Sequence, residues 1–260
     1  MSNPIICTLM GNYNYSAYIE EAIRSIMNQD YPHLIIGVVD DGSSDNSPGI
    51  IERLAKEDSR IKPIYLKKGV GVAEARNLLI RKHWDDCHFF LIADSDDVLM
   101  KNKVSRLLSK MLISPYIVGA YGDYTIRNMS NPSYVLAEYK EPYDAVKLRQ
   151  NCIVHSACMI SKDGMKAVEE IVDGQPSYFD KELHCWRGDG QFAGSVEDWD
   201  AFIRLNEVGL FCHVGEFLTE VRVHNSNQSQ IEKVSKTINK NMERINFKAQ
   251  QRALKRQQNL

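Results

Sequence analysis

Two apolar runs that each end in a cluster of acidic residues constrain this 260-residue chain more than any other feature. The first, residues 34–45, reads LIIGVVDDGSSD, and the second, residues 88–97, reads HFFLIADSDD. A continuous apolar run of this length predicts a strand buried on both faces, as in a parallel sheet covered by helices. Because ligands of such sheets collect at the carboxyl ends of the strands, both clusters are expected to share one crevice. The alternative is that the aspartates only form turns.

Strands and helices alternate along the first half of the chain. Apolar runs predict strands at residues 4–10, 34–40, 62–66 and 88–94. Apolar residues at helical spacing predict helices near residues 19–27, 47–55, 72–83 and 104–111. Ser47 is expected to cap the second helix, with Pro48 as its first residue. This alternation predicts an α/β fold with a doubly wound, mainly parallel sheet.

The pattern becomes less regular after residue 113. Further strands are expected at residues 116–124, 152–161 and 217–224, and a helix at Trp199, Phe202 and Ile203. Composition adds little, because a net charge of −2 and an ordinary globular composition indicate no class of partner. The six cysteines form no C-x-x-C pair, and no stretch of about 18 apolar residues or leader-like N-terminus occurs. We therefore expect a cytoplasmic protein with free thiols.

A glycine-containing loop precedes the third predicted helix. Residues 69–74 read GVGVAE, so Glu74 stands where a dinucleotide-binding fingerprint needs its third glycine. A nicotinamide cofactor is therefore not expected. The free amides of this loop, together with Arg76, are expected to face a phosphate. The alternative is an exposed helix start with a solvated arginine.

The second acidic cluster suits a divalent cation. Asp94 and Asp96 flank Ser95 and place two carboxylates two residues apart, which is sufficient to hold Mg²⁺ or Mn²⁺ when substrate phosphates complete the shell. His224 in the last strand is a candidate third ligand, and a histidine would favour Mn²⁺. The alternative for His224 is a surface or hydrogen-bonded residue.

Residues 195–200, SVEDWD, precede an amphipathic helix. Ser195 and Asp198 have the spacing of a capping box, which is the purely structural interpretation. The functional interpretation places Glu197 and Asp198 at a cleft, with Asp198 as a general base toward an acceptor hydroxyl and Trp199 as a stacking wall.

Eight segments, in this order, carry a resemblance to a known family: GNYN at 11–14, YIEEAIRSI and NQDYP at 18–32, VVDDGSSD at 38–45, AEARN at 73–77, DSD at 94–96, FDKEL at 179–183, EDWD at 197–200, and RVHNSNQS at 222–229. The chain resembles family 2 glycosyltransferases from residue 4 to about residue 229. These are inverting enzymes of the GT-A fold that transfer sugars from nucleotide diphosphates. The residues before GNYN depart from the family, which usually places a proline there, and residues 186–195 look like an inserted loop.

The resemblance implies a nucleotide site. Asp40 or Asp41 would bind the base, with Asn12 and Tyr13 of the first loop nearby. Arg76 would contact the ribose or a phosphate of the donor.

The resemblance also implies a metal centre and a base. Asp94 and Asp96 would hold the metal ion and the ribose, with Ser95 on the donor side, and His224 would complete the metal shell. Asp198 would remove the acceptor proton for an in-line attack, and a single displacement would invert the anomeric configuration. The acceptor is a saccharide, a lipid-linked molecule or another hydroxyl compound, with Glu197 and Trp199 on its side of the site.

The resemblance implies a domain plan, and two alternative functions stay open beside it. Residues 1–230 are expected to form a GT-A domain, with a nucleotide-sugar-binding half at 1–112 and an acceptor or catalytic half at 113–230. The alternative functions are a sugar nucleotidyltransferase and a non-catalytic sugar-nucleotide-binding protein. Sugar nucleotidyltransferases carry a glycine-rich, lysine-bearing phosphate loop near the N-terminus, and this chain lacks such a loop.

Residues 231–260 are expected to form a basic C-terminal helix or tail. From Lys233 onward it carries eight basic residues opposed only by Glu243, and several recur every four residues. A thin apolar stripe accompanies them at Val234, Ile238, Met242, Ile245, Ala249 and Ala253. The helix is expected to pack on its own domain, form a homodimer with a second copy, or lie on an anionic membrane surface. Nucleic acid ranks last, since no nucleic-acid-binding fold accompanies it. The membrane alternative would place the enzyme at the inner face of a membrane.

Overall fold

The computed structural model describes residues 3–131, 133–186, 192–225, 245, 247–252 and 254. Its strands are β1 (Ile6–Asn12), β2 (Leu34–Asp40), β3 (Ile61–Tyr65), β4 (Phe89–Ile92), β5 (Val98–Leu99), β6 (Ile117–Asn128), β7 (Val135–Glu138), β8 (Met159–Ser161), β9 (Glu170–Val172), β10 (Gln175–Ser177), β11 (His184–Trp186), β12 (Phe192–Ser195) and β13 (Leu210–Val223). Its helices are α1 (Ile19–Met27), α2 (Ser47–Glu57), α3 (Val72–Lys82), α4 (Lys103–Met111), α5 (Ala145–Gln150), α6 (Lys162–Ala167) and α7 (Glu197–Asn206).

A nine-stranded sheet runs through the molecule in the order β3-β2-β1-β4-β8-β6-β13-β5, with β7 added to β6. The longer pairings, β1 with β2 and β4, β2 with β3, and β6 with β13, are parallel. The pairings of β8, β5 and β7 are short and antiparallel. The predicted α/β fold with a mainly parallel sheet is therefore confirmed.

Helices cover both faces of this sheet, as the uninterrupted apolar strands predict. One face packs against α3 and α7 through buried residues such as Leu79 and Phe202. The other packs against α1, α2 and α4 through residues such as Ile23, Ile51 and Leu107. The sheet is thus doubly wound.

Several predicted boundaries are wrong. Helix α2 begins at Ser47, with Asn46 as its N-cap, so Ser47 is not the cap and Pro48 is not the first residue. The expected strand at 152–161 is reduced to β8, and the last strand begins at Leu210, well before residue 217. The short strands β5, β7 and β9 to β12 were not predicted, because two to four residues are too few to establish a period.

The region expected to be an inserted loop, residues 186–195, begins at the last residue of β11 and includes β12, which pairs antiparallel with β11, while residues 187–191 lie outside the described part. Five cysteines of the described part, Cys7, Cys87, Cys152, Cys158 and Cys212, are free thiols. Among the described residues, none of the helices has both the length and the apolar character needed to cross a bilayer. The domain limits at residues 112 and 230 stay predictions.

Candidate active site

The two acidic clusters lie at the same edge of the sheet. Strand β1 runs parallel to β2 on one side and to β4 on the other, so the carboxyl ends of all three point the same way. Asn12 at the end of β1 is level with Asp40 at the end of β2. The shared crevice expected from the sequence therefore has a structural basis.

Asp40 and Asn12, at the ends of β2 and β1, are joined by a hydrogen bond. The Asn12 side-chain amide donates to Asp40 Oδ2 at 2.9 Å, and the backbone N–H of Ser43 donates to Asp40 Oδ1 at 3.0 Å. Asn12 Oδ1 is buried and has no hydrogen-bond partner among the described residues. The neighbouring Tyr13 side chain is 41% exposed. A residue with a buried acceptor is thus followed in the chain by an accessible aromatic residue.

Asp41 binds the glycine-containing loop. The backbone N–H groups of Val70 and Gly71 donate to its two carboxylate oxygens at 2.7 and 2.8 Å. The prediction that these amides are free to face a phosphate is therefore wrong in this structure: a carboxylate of the protein occupies them at the start of α3. Burial raises the pKa of Asp41, although the two amide bonds counteract this effect.

Arg76 lies at the centre of the site. Its Nη1 donates to Glu197 Oε1 and its Nη2 to Asp94 Oδ1, each at 2.8 Å. Its guanidinium also lies over the Phe179 ring, 5.6 Å from the centroid. The residue is only 3% exposed, so the alternative of a solvated arginine is wrong. It instead joins Asp94, in the loop after β4, to the first residue of α7.

Asn77, the next residue on α3, holds the segment that lies beneath Arg76. Its side-chain oxygen accepts the backbone N–H groups of Tyr178 and Phe179 at 3.0 and 2.9 Å. Its side-chain amide donates to the Phe179 carbonyl at 2.8 Å. Consecutive residues of α3 therefore fix two distant segments.

Asp94 has protein partners on both carboxylate oxygens. Arg76 donates to Oδ1, and the Ser156 hydroxyl donates to Oδ2 at 3.1 Å. Ser156 was missed by sequence reasoning, because a single serine in an irregular stretch has no motif that distinguishes it.

His224 directly follows β13 and faces Asp96. Its Nε2 lies 3.4 Å from Asp96 Oδ2, and the side chain is buried, so the surface alternative is wrong. Tyr18 stacks on the imidazole with a centroid distance of 4.0 Å and an interplanar angle of 15°. Tyr15 meets it edge-on at 5.5 Å. These aromatic contacts hold the ring in one orientation.

Arg222 supports the loop that carries Asp96. Its Nε donates to the Asp96 carbonyl, and its Nη2 donates to the Tyr18 carbonyl at 3.0 Å. The side chain is 2% exposed and also pairs with Glu21. Arg222 therefore joins the acidic loop to α1. Its support of that loop depends on tertiary contacts that the strand pattern did not predict.

The predicted metal ligands are only partly gathered. Asp96 and His224 face each other, while Asp94 is occupied by Arg76 and Ser156. Within the part of the chain that the structure describes, no three histidine, cysteine or carboxylate side chains gather closely enough to hold a metal ion.

The candidate base lies at the start of α7. This helix begins at Glu197, its N-cap is Val196, and no side chain caps it, so the capping-box interpretation of Ser195 and Asp198 is wrong. Asp198 accepts the backbone N–H of Trp199 at 2.7 Å. The indole N–H of Trp199 donates to the Leu148 carbonyl at 2.6 Å, which fixes the ring.

Burial changes the acidity of both carboxylates. It raises the pKa of Glu197 to about 7 and raises the pKa of Asp198, while the charge of Arg76 counteracts both shifts. The negative charge of Asp198 further raises the pKa of Glu197. Glu197 Oε2 is buried without a hydrogen-bond partner among the described residues. Such perturbed, clustered carboxylates are typical of catalytic sites.

Comparison with known proteins shows that this α/β fold is that of a glycosyltransferase of the GT-A type. Residues 7–165 match the model of the glycosyl transferase family 2, so the chain belongs to that family and is a glycosyltransferase. It is 31% identical over 213 residues to an uncharacterized glycosyltransferase of Haemophilus influenzae, covering 81% of this chain and 83% of that protein. Because the chain belongs to a glycosyltransferase family, a glycosyltransferase is favoured over the two alternatives, a sugar nucleotidyltransferase and a non-catalytic sugar-nucleotide-binding protein.

Two solved structures share the fold. The crystal structure of S. aureus TarS 1-349 in complex with UDP-GlcNAc superposes on this chain with a TM-score of 0.64 and 16% sequence identity. The match covers 90% of this chain and 64% of that one. The mannosyltransferase PcManGT from Pyrobaculum calidifontis, in complex with GDP-Man and Mn²⁺, has a TM-score of 0.62 and 16% identity, covering 87% and 59%. This chain thus spans about three fifths of each of these structures.

Proposed function

We propose that the protein transfers a sugar from a nucleoside diphosphate to an acceptor hydroxyl by a single, inverting displacement, with Asp198 as the base. The observation that carries this proposal is the Arg76 bridge. It joins Asp94, on the donor side, to Glu197, which immediately precedes Asp198. A donor bound at the carboxyl edge would therefore lie beside the candidate base.

The nucleotide is proposed to bind over β1 and β2. The buried acceptor Asn12 Oδ1 suits an N–H group of a base, and the accessible Tyr13 ring suits stacking. Asp40 orients Asn12, and Asp41 holds the loop that closes this side. The donor class follows the two solved relatives of this fold, whose complexes contain UDP-GlcNAc and GDP-Man.

Asp96 and His224 are proposed to hold a divalent cation, with Asp94 and Ser95 on the donor side. The facing carboxylate and imidazole are a mixed oxygen and nitrogen donor set that Mn²⁺ accepts, and Mg²⁺ is the alternative. The ion, when bound, would neutralise the charge that develops on the departing diphosphate. Tyr18 and Arg222 keep this pair in place through the contacts described above.

The acceptor is proposed to approach α7 from the side of Glu197 and Trp199. Asp198 would take the proton of the acceptor hydroxyl, and burial of its surroundings would limit competition by water. A saccharide, a lipid-linked molecule or another hydroxyl compound fits this chemistry, and a site of action at the inner face of a membrane stays a prediction.

A nucleotide-sugar screen tests the proposal. Thermal shift with UDP-sugars and GDP-sugars, each with and without Mn²⁺, should identify a donor that stabilises the protein only with the metal. Product analysis of the selected donor should then show a nucleoside diphosphate and a sugar of inverted anomeric configuration. Retention of configuration, or release of pyrophosphate, would contradict the proposal.

Replacing Asp96 with alanine should weaken metal-dependent nucleotide binding by roughly tenfold or more, because one of two facing ligands is lost. Calorimetric titration of UDP or GDP in the presence of Mn²⁺ measures this effect. The exposed Asp85, in the turn after α3, provides a control, since its replacement by alanine should leave the affinity unchanged. Unchanged affinity in Asp96→Ala would exclude Asp96 from the metal site.

Turnover should fall on the acid side at a pH above the usual range of an aspartate, because burial raises the pKa of Asp198 and only its ionised form accepts a proton. Glu197→Gln should leave this acid limb in place, because the pKa of Glu197 is raised to about 7 and this residue is therefore already protonated where Asp198 titrates. The measurement is kcat/KM against pH. A limb that moves to lower pH in this variant would show that Glu197 is charged when Asp198 titrates and would contradict the order of the two ionisations.

A further inference from the structure

The basic C-terminal region packs on its own domain where the structure describes it. Residues 245, 247–252 and 254, here called the C-terminal brace, have helical backbone. Ile245 is fully buried in a small apolar cluster with Leu183, Val196 and Ile203. Of the alternatives that the sequence left open, the described residues thus support packing on the same chain.

Two ion pairs join the brace to the rest of the domain near this cluster. Lys248 pairs with Asp180, and Arg252 pairs with Glu207 at 3.2 Å. The carboxylates of Asp180 and Glu207 are 9% and 8% exposed, so both pairs are partly shielded from water. Two charges of the basic stripe are therefore neutralised within the protein.

These contacts reach both ends of α7. Val196 is the N-cap of α7 and directly precedes Glu197, whereas Glu207 is its C-cap. Ile203 lies between them on the same helix. The candidate base lies on α7. The brace therefore contacts α7 at its start, in its middle and at its end.

The outer face of the brace differs from the inner face. Phe247 is 60% exposed and Leu254 is 51% exposed, whereas Ile245 is 0% exposed. The functions of the two faces can be tested separately, because a substitution on one face leaves the side chains of the other face unchanged.

We propose that the C-terminal brace is a positioning element that fixes Asp198 by holding α7 against the rest of the domain. This inference rests on the proposed role of Asp198 as the base. Small displacements of a catalytic group reduce the rate steeply, so a brace outside the catalytic centre controls turnover through α7. The residues that the brace contacts in its apolar cluster, Leu183, Val196 and Ile203, lie outside β1 and β2, over which the nucleotide is proposed to bind, so we expect nucleotide binding not to depend on the brace.

The test compares full-length variants of the two faces. Ile245→Ala removes the buried anchor, Ile245→Val restores most of its volume, and Phe247→Ala removes a larger side chain from the outer face. Hydrogen–deuterium exchange is followed in peptides covering α7, with peptides covering α2 as the internal reference. Nucleoside diphosphate release from the donor chosen in the screen gives kcat, and titration with UDP or GDP gives the nucleotide affinity.

Ile245→Ala should speed exchange in α7 and lower kcat by about tenfold, with the nucleotide affinity within about twofold of wild type. Ile245→Val should recover most of kcat, and Phe247→Ala should resemble wild type. Because Ile245→Ala creates a cavity, Arg252→Gln provides a milder change at the other end of the brace and should produce a smaller effect of the same kind.

Unchanged exchange in α7 for both Ile245→Ala and Arg252→Gln would overturn the proposal. So would a loss of kcat in Phe247→Ala equal to that in Ile245→Ala, which would assign the function to the outer face and to a second copy or an anionic surface. If the wild-type protein released no nucleoside diphosphate from any donor, the proposed function would fail, but the exchange experiment would still report on the brace.

Discussion

Replacing Asp198 with asparagine is expected to lower sugar transfer by about 10²- to 10⁴-fold, the range typical for loss of a general base. Asparagine keeps the shape of the side chain and can still accept the backbone N–H of Trp199, so α7 should keep its structure. The nucleotide and the metal ion are proposed to bind to other residues. Their affinity should therefore stay within about twofold of wild type.

The measurement combines steady-state turnover with calorimetric titration of the nucleotide in the presence of Mn²⁺. Asp163→Asn is a matched control, since Asp163 is also an acidic residue in the first turn of a helix but is exposed on α6. It should retain wild-type turnover. Turnover of Asp198→Asn close to that of wild type would exclude Asp198 as the base.

Replacing Arg76 with methionine is expected to lower the free energy of unfolding by about 3 to 5 kcal/mol. The cause is the loss of the shared cation between Glu197, which is nearly inaccessible at 4% side-chain exposure, and Asp94, which is less buried at 28%. Methionine fills part of the volume but donates no hydrogen bond. Arg76→Lys should be intermediate, because a single ammonium group cannot reproduce the two-pronged contact.

Denaturant unfolding measures this loss, and Arg81→Met supplies the control. Arg81 lies on the same helix and pairs with Glu74, but its side chain is 19% exposed. Its replacement should cost about 1 kcal/mol or less. In the double variant with Glu197→Gln, the loss should be smaller than the sum of the single losses, because one stranded charge is removed. An Arg76→Met variant as stable as wild type would refute the bridging role.

The first half of the fold could be predicted because its information is local. Strands β1 and β2 and helices α1 and α3 are long enough for periodicity to identify them, and turn residues separate them. The second half contains strands of two to four residues and a helix as short as α6, for which the same signals are too weak. There the tertiary packing decides the conformation.

The candidate site was predicted as a set of residue types rather than as a set of contacts. The DSD and EDWD segments were identified as chemically active, and the structure places Asp94 and Glu197 on the same arginine. Ser156, which supports Asp94, carries no sequence signal of its own, and Tyr18, which supports His224, was matched only as part of the YIEEAIRSI segment, without a role. Both act through neighbours that are distant in the chain.

The alternation of strands and helices, the acidic strand ends and the apolar stripe of the C-terminal region can be inferred from the sequence alone, since each depends on residues within one element. Three contacts follow only from the folded chain: Asp41 accepts the loop amides, Arg76 joins residues 94 and 197, and Ile245 packs beside Val196. The physical reason is that hydrophobic burial depends on pattern and is tolerant of detail, whereas a hydrogen bond or an ion pair requires particular atoms to meet within about 3 Å. Such meetings exist only after the whole chain has packed.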